Sequence, residues 1–219
     1  AADRPWRHNQ KLASRINGEL PDGAADSEST RELVHSLRTC SATQASDLVV
    51  DMFNKKVSVQ SVTDGLYLAA VELLIRQRGI IAMHAVTTTN ALQYAFRQLT
   101  AGGGHEETRR LLLLQNASFL PMFRDSMHSR GQVGNAAIDE LQSVPTSTGV
   151  EGLDDIYGDV GRNHFQAAGK TLAWLNAGND GKSFVDAARR LIFLKGNNSH
   201  DYKFSSATLE DYAHISPAW

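Results

Sequence analysis

Apolar residues along this chain recur every three or four positions, the spacing of helices with one buried face, and no run alternates as a half-buried strand does. Val62, Leu66, Ala69, Ala70, Leu73 and Leu74 form the clearest stripe, with Ser61 and Thr63 as caps near its start and Gly79 after its end. A second helix is predicted from Ile80 to Leu99, stopped by Gly102-Gly103-Gly104. A third opens on Glu106 and Glu107, where the helix dipole favours acids, and places Glu106 and Arg110 at i,i+4 spacing. Leu111 to Leu114 is apolar all round, which predicts burial, and Pro121 predicts a kink or break. Further helices are expected at Thr30–Leu37, Ala42–Asn54, Asp154–Asn176, Gly181–Leu194 and Ser205–His214, while Trp6 to Ile16 is ambiguous. Residues 129–152 are rich in Ser, Thr, Gly and Pro and predict a flexible, protease-sensitive loop. The pattern predicts an all-α fold: a multi-helix bundle of about eight to ten helices in one domain over 1–219.

Two segments echo one another, 47–96 and 164–213. Each reads as a helix ending in an Asn-containing turn, a second apolar helix ending at glycine, then a histidine opening a third helix. His84 and Ala91 in the first answer to His200 and Ala207 in the second, with hydroxyl residues between. The expectation is a duplicated three-helix unit with pseudo-twofold symmetry, in which His84 and His200 face one another.

Composition narrows the class. The 219 residues are 42% hydrophobic and 21% charged with net charge −2, so no basic excess points to nucleic acid. No apolar run is long enough to span a bilayer, so no membrane partner is expected. The single cysteine, Cys40, excludes an internal disulfide and any CxxC site, and reads as a structural thiol. Ala1 to His8 lacks a signal-peptide pattern and reads either as the end left by a removed one or as a cut, and the end at Trp219 reads as a cut, so a piece of a longer chain is expected; a homo-oligomer is the other partner expectation, and a soluble, cytoplasmic location is favoured.

The eight histidines are the best chemical lead. His84 lies in Ile80-Ile81-Ala82-Met83-His84-Ala85-Val86 and is expected to be buried, with Thr87 and Thr88 supplying hydroxyls. It reads as a core histidine, an acid/base group, or a metal or haem ligand. His200-Asp201-Tyr202-Lys203 gathers imidazole, carboxylate, phenol and ammonium within four residues. Asp201 is expected to tune His200, and Lys203 to serve as a base or amine nucleophile. The opposing reading is a helix cap by Ser199 and Asp201 with a solvated Lys203. His84 and His200 are the candidate metal ligands, short of the three or four a metal needs but enough for a haem. His8, His35, His105 and His128 read as surface residues, and His164 and His214 lack fixed geometry. No HExxH and no phosphate loop is present.

At the two histidine helices, His84 with Ala91 and His200 with Lys203 and Ala207, the chain resembles the questin oxidase-like family. It also resembles a family of all-helical bacterial proteins of unassigned activity. The first resemblance implies an all-α fold and oxidative chemistry on an aromatic substrate. The leading expectation is therefore an enzyme-like helical domain whose pocket is lined by His84, His200, Tyr202 and Lys203 and takes a small organic ligand. The alternatives are a non-catalytic structural or interaction domain, and a haem or metal carrier using His84 and His200.

Overall fold

A computed structural model describes residues 3–219; Ala1 and Ala2, which begin the N-terminal stretch read above, lie outside them. Ten α-helices and no strand are found among the described residues, so the fold is all-α as expected. In chain order they are α1 (Trp6–Ala13), α2 (Ser27–Leu37), α3 (Ala42–Asn54), α4 (Val59–Arg76), α5 (Ile80–Gly102), α6 (Glu106–Met127), α7 (Gly149–Val160), α8 (His164–Asn176), α9 (Gly181–Lys195) and α10 (Ser199–Tyr212). The chain divides into two compact units. Unit 1 comprises the described residues up to Gly134 together with Glu210–Trp219; unit 2 is Asn135–Leu209, so the boundary falls within α10.

Unit 1 is built around α4 and α6. Helix α4 packs against α2, α5 and α6, and α6 against α1, α3 and α5. Asp26 caps α2 by accepting from the amides of Glu28 and Ser29, and these bonds, with the Ser29 hydroxyl foremost, hold its carboxyl below the usual range. Ser41 and Gln44 form a reciprocal capping box on α3. The cap of α4 is Ser58, not Ser61 or Thr63. Ser58 Oγ accepts from the Ser61 amide at 3.2 Å, and Ser61 is fully buried, receiving the Asp26 amide at 2.8 Å.

Helix α6 runs through Pro121 without the expected break. Pro121 lies on the face that also buries Leu113, Leu114, Ala117 and Leu120, and that packing offsets the missing backbone donor. The Glu106–Arg110 pair forms at 3.4 Å. Arg110 also donates to the carbonyls of Ala13 at 3.0 Å and Ile16 at 3.1 Å, and to that of Gly18, which satisfies the open C-terminal end of α1. A buried Asn9–Ser118–Ser46 chain of hydrogen bonds joins α1, α6 and α3.

Unit 2 rests on Leu153, Ile156 and Trp174, with Tyr157, Leu175, Phe184 and Ala187 packed around them. The expected single helix over Asp154–Asn176 is two, because Gly161 ends α7 and Asn163 caps α8 by accepting from the Gln166 amide. The last helix begins earlier than expected, at Ser199. Much of the expected loop at 129–152 is pinned. Val144 N donates to Gly169 O at 2.9 Å, Thr146 Oγ1 to Asp155 at 3.0 Å, and residue 149 already opens α7. Two glycines make this possible. A Cβ at Gly169 would sit 2.6 Å from the Val144 side chain, and one at Gly152 would sit 2.0 Å from the Ser147 carbonyl oxygen. Lys170, nearly buried, pairs with Asp155 at 2.6 Å and Asp159 at 2.7 Å.

Segment 47–96 lies in unit 1 and most of 164–213 in unit 2. The helix order of the two matches, but His84 is the fifth residue of α5 and His200 the second of α10. No helix is long and apolar enough to cross a membrane among the described residues.

Candidate functional site

The four residues singled out from the sequence fall in both units. His84 belongs to unit 1, and His200, Tyr202 and Lys203 to unit 2. His84 is exposed, not buried. The inward face of α5 carries Ala82, Ala85, Val86, Thr89 and Phe96, and His84 falls between those positions. Its apolar surroundings in sequence belong to the other side of the helix.

His200, Tyr202 and Lys203 share the first turn of α10 and are all exposed. The side chain that caps this turn is Asn198, neither Ser199 nor Asp201; its Oδ1 accepts from the His200 amide at 2.9 Å and the Asp201 amide at 3.3 Å. Asp201 Oδ2 closes the preceding turn, accepting from the Asn197 amide and from Asn198 Nδ2, each at 3.0 Å. Tyr202 donates its hydroxyl to Gly196 O at 2.8 Å. Among the described residues no group of three or more His, Cys, Asp or Glu side chains is arranged to hold a metal ion, so the metal role expected of His84 and His200 gains no ligand set. His35, His105 and His128 are exposed as expected, and His8 is partly covered, 3.5 Å from Asp47. Cys40 is partly buried, and burial pushes its thiol up, in keeping with a structural role.

Unit 1 contains an open cleft of about 290 Å³ bounded by Arg4, Thr88, Phe119, Met122, Phe123 and Ser126. The four α6 residues stand at i, i+3, i+4 and i+7, one continuous face. Phe119 and Phe123 meet edge to face with ring centres 6.2 Å apart. Ser126 turns its hydroxyl back to the Met122 carbonyl at 2.8 Å, which leaves the α6 wall largely apolar. Arg4 is anchored at the rim by its own carbonyl, which accepts from Gln115 Nε2 at 2.7 Å. His84 precedes Thr88 by one turn on the same face of α5. Phe119 and Phe123 follow the apolar run Leu111 to Leu114 in sequence. In the fold α6 has two apolar faces, one inside the bundle and one along the cleft.

A second constellation in unit 1 had no local signature. Arg97 donates to Tyr67 OH at 3.1 Å and pairs with Glu210 at 2.5 Å. Asn90 Nδ2 donates to Glu210 at 3.1 Å and to Asp211 at 2.9 Å. Burial pushes the Asp211 carboxyl up to about 7, opposed by the Asn90 hydrogen bond and assisted by Glu210. Burial also pushes the Tyr67 hydroxyl well above its ordinary range. Beside them Asp64, fully buried, accepts from Gln60 at 2.8 Å and from the Ser216 amide at 3.1 Å, and Gln60 also donates to the His214 carbonyl at 3.0 Å. Burial, then the charge of Arg97, lowers the pKa of His214. These bonds tie residues 210–216 to α4 and α5. Partners more than 100 positions apart leave no spacing rule by which sequence could pair them.

No family model, curated protein or solved structure matches this chain, and the case for a function rests on these residues and their geometry.

Proposed function

We propose that unit 1 is a helical domain that binds a small aromatic molecule in the cleft between Thr88 and the Phe119–Met122–Phe123 face, with His84 one helical turn from Thr88 on α5. The cleft carries the reading. Its volume of about 290 Å³ approaches the lower end, roughly 300 Å³, of pockets that hold small organic ligands. Two phenylalanines, a methionine and few polar groups suit a flat, polarizable ring. Arg4 at the rim suits a ligand with an acidic substituent. The aromatic ligand class and His84 are retained from the sequence expectation. His200, Tyr202 and Lys203 play no part in this reading.

The test uses 1-anilinonaphthalene-8-sulfonate, an aromatic anion whose fluorescence rises in apolar surroundings. Saturable binding of one probe per chain is expected. Thr88→Trp, which fills the cleft, should weaken it by about tenfold or more, while Phe193→Ser in unit 2 leaves it unchanged. Unaltered titration in Thr88→Trp, with a native melting curve, would overturn the cleft as the binding site.

A further inference from the structure

The end of α9 and the start of α10 form an apolar tip on unit 2. Phe193 is 76% exposed, Leu194 71% and Tyr202 41%, although α9 is otherwise an amphipathic helix with a side available for burial. The Phe193 and Tyr202 rings lie 6.1 Å apart, so these two side chains are not scattered, and Leu194 adjoins Phe193 in the chain. Isolated exposed apolar residues are ordinary, whereas an adjacent set of large ones marks a contact surface.

The charges around the tip indicate the kind of surface it meets. Arg189 and Arg190 stand one turn before Phe193 and Leu194, Lys195 directly follows them, and Lys203 follows Tyr202; all four are exposed. Arg189 is paired with Asp186 at 3.5 Å. Arg190, Lys195 and Lys203 have no ion-pair partner among the described residues. Within 181–203 five cations (Lys182, Arg189, Arg190, Lys195, Lys203) face two carboxylates (Asp186, Asp201), in a chain whose net charge is −2. The positive charge is gathered where the apolar side chains protrude.

We propose that this tip docks on the surface of an anionic lipid bilayer. Phe193 and Leu194 enter the interfacial layer, Tyr202 sits at the headgroup level, and Arg190, Lys195 and Lys203 meet the phosphates. Stable adsorption takes an apolar anchor together with a basic patch, and both are present within two helical turns. The alkyl stems of the Lys and Arg side chains can lie along the apolar layer while their charges reach the headgroups. The sequence excluded a membrane partner because no segment spans a bilayer, a criterion that surface adsorption does not have to meet.

Full-length protein sedimented with vesicles tests this. Binding is expected to vesicles of phosphatidylcholine mixed with phosphatidylserine, to be absent with phosphatidylcholine alone, and to fall with added salt. Phe193→Ser/Leu194→Ser and Arg190→Glu/Lys195→Glu should each reduce it by about tenfold or more. Because these side chains are exposed, both variants should keep the wild-type melting curve. No binding to the mixed vesicles, or equal binding by wild type and both variants, overturns the proposal. A concentration-dependent dimer that Phe193→Ser/Leu194→Ser abolishes, without vesicle binding, also overturns it and assigns the tip to a second copy of the chain.

Discussion

Helix α4 of unit 1 and α9 of unit 2 both end in basic residues and both carry large apolar side chains, yet their fates differ. Twelve of the eighteen residues of α4 are buried, and none of the fifteen of α9. The difference lies in their neighbours. Helix α4 is enclosed by α2, α5 and α6, so even Asp64 and Glu72 are buried there, and Glu72 receives Arg38 and Arg76, each at 2.8 Å. Helix α9 meets its unit's core through Phe184 and Ala187, and its outer side carries Phe193 and Leu194 into solvent. A helix enclosed on several sides spends its surface on stability, and one packed on a single side keeps surface free for a partner.

This contrast predicts two levels of stability. Phe53 in α3 is fully buried, and Phe53→Ala should lower the stability of unit 1 by about 3–5 kcal/mol, measured by denaturant melting. Trp174→Ala removes the largest member of the small core of unit 2 at a cost on the same scale, about 3 kcal/mol or more. Its readout should differ: hydrogen exchange is expected to speed up across α7–α9 while α3–α6 stay protected. Uniform loss of protection along the whole chain would remove the distinction between the units. Gly152→Ala comes next, at about 1–3 kcal/mol, because the added methyl meets the Ser147 carbonyl and the Trp174 ring.

A smaller effect depends on pH and arises in unit 1. Asp211 has its folded pKa raised to about 7, whereas an unfolded Asp ionises near 4. Between those values the unfolded chain has released a proton that the folded chain keeps, so this group's contribution to stability falls as pH rises from about 4 to about 7, then levels off. Asp211→Asn keeps an acceptor for Asn90 and should flatten that part of the profile; an identical profile in the variant would count against burial of an ionisable group there. The smallest effect is expected from Phe193→Ser. A change within about 0.5 kcal/mol would show that the outer side of α9 is not required for folding.

Much of the helical layout was legible because helix formation is written locally. The 3.6-residue stripe, Gly79, Gly102-Gly103-Gly104 and the acids at Glu106 and Glu107 placed α4 to α6 to within a few residues, and α3 was predicted at its observed bounds. What failed depended on context. Pro121 stays helical because the surroundings of α6 offset its lost donor, and His84 is exposed because an apolar run does not say which side of a helix faces inward. The cleft was only half visible. Its i, i+3, i+4, i+7 face could be read on α6, but Thr88 and Arg4 join it only in the folded unit.

The sequence by itself determined that this is an all-helical chain, since periodicity, caps and breakers act over a few residues. Which faces are covered, that Asn90 and Arg97 hold Glu210 and Asp211, and that Phe193 and Tyr202 meet in solvent beside unpaired cations were decided only by tertiary structure. Burial and pairing depend on residues brought together from distant positions, and no local pattern encodes which helix will cover which.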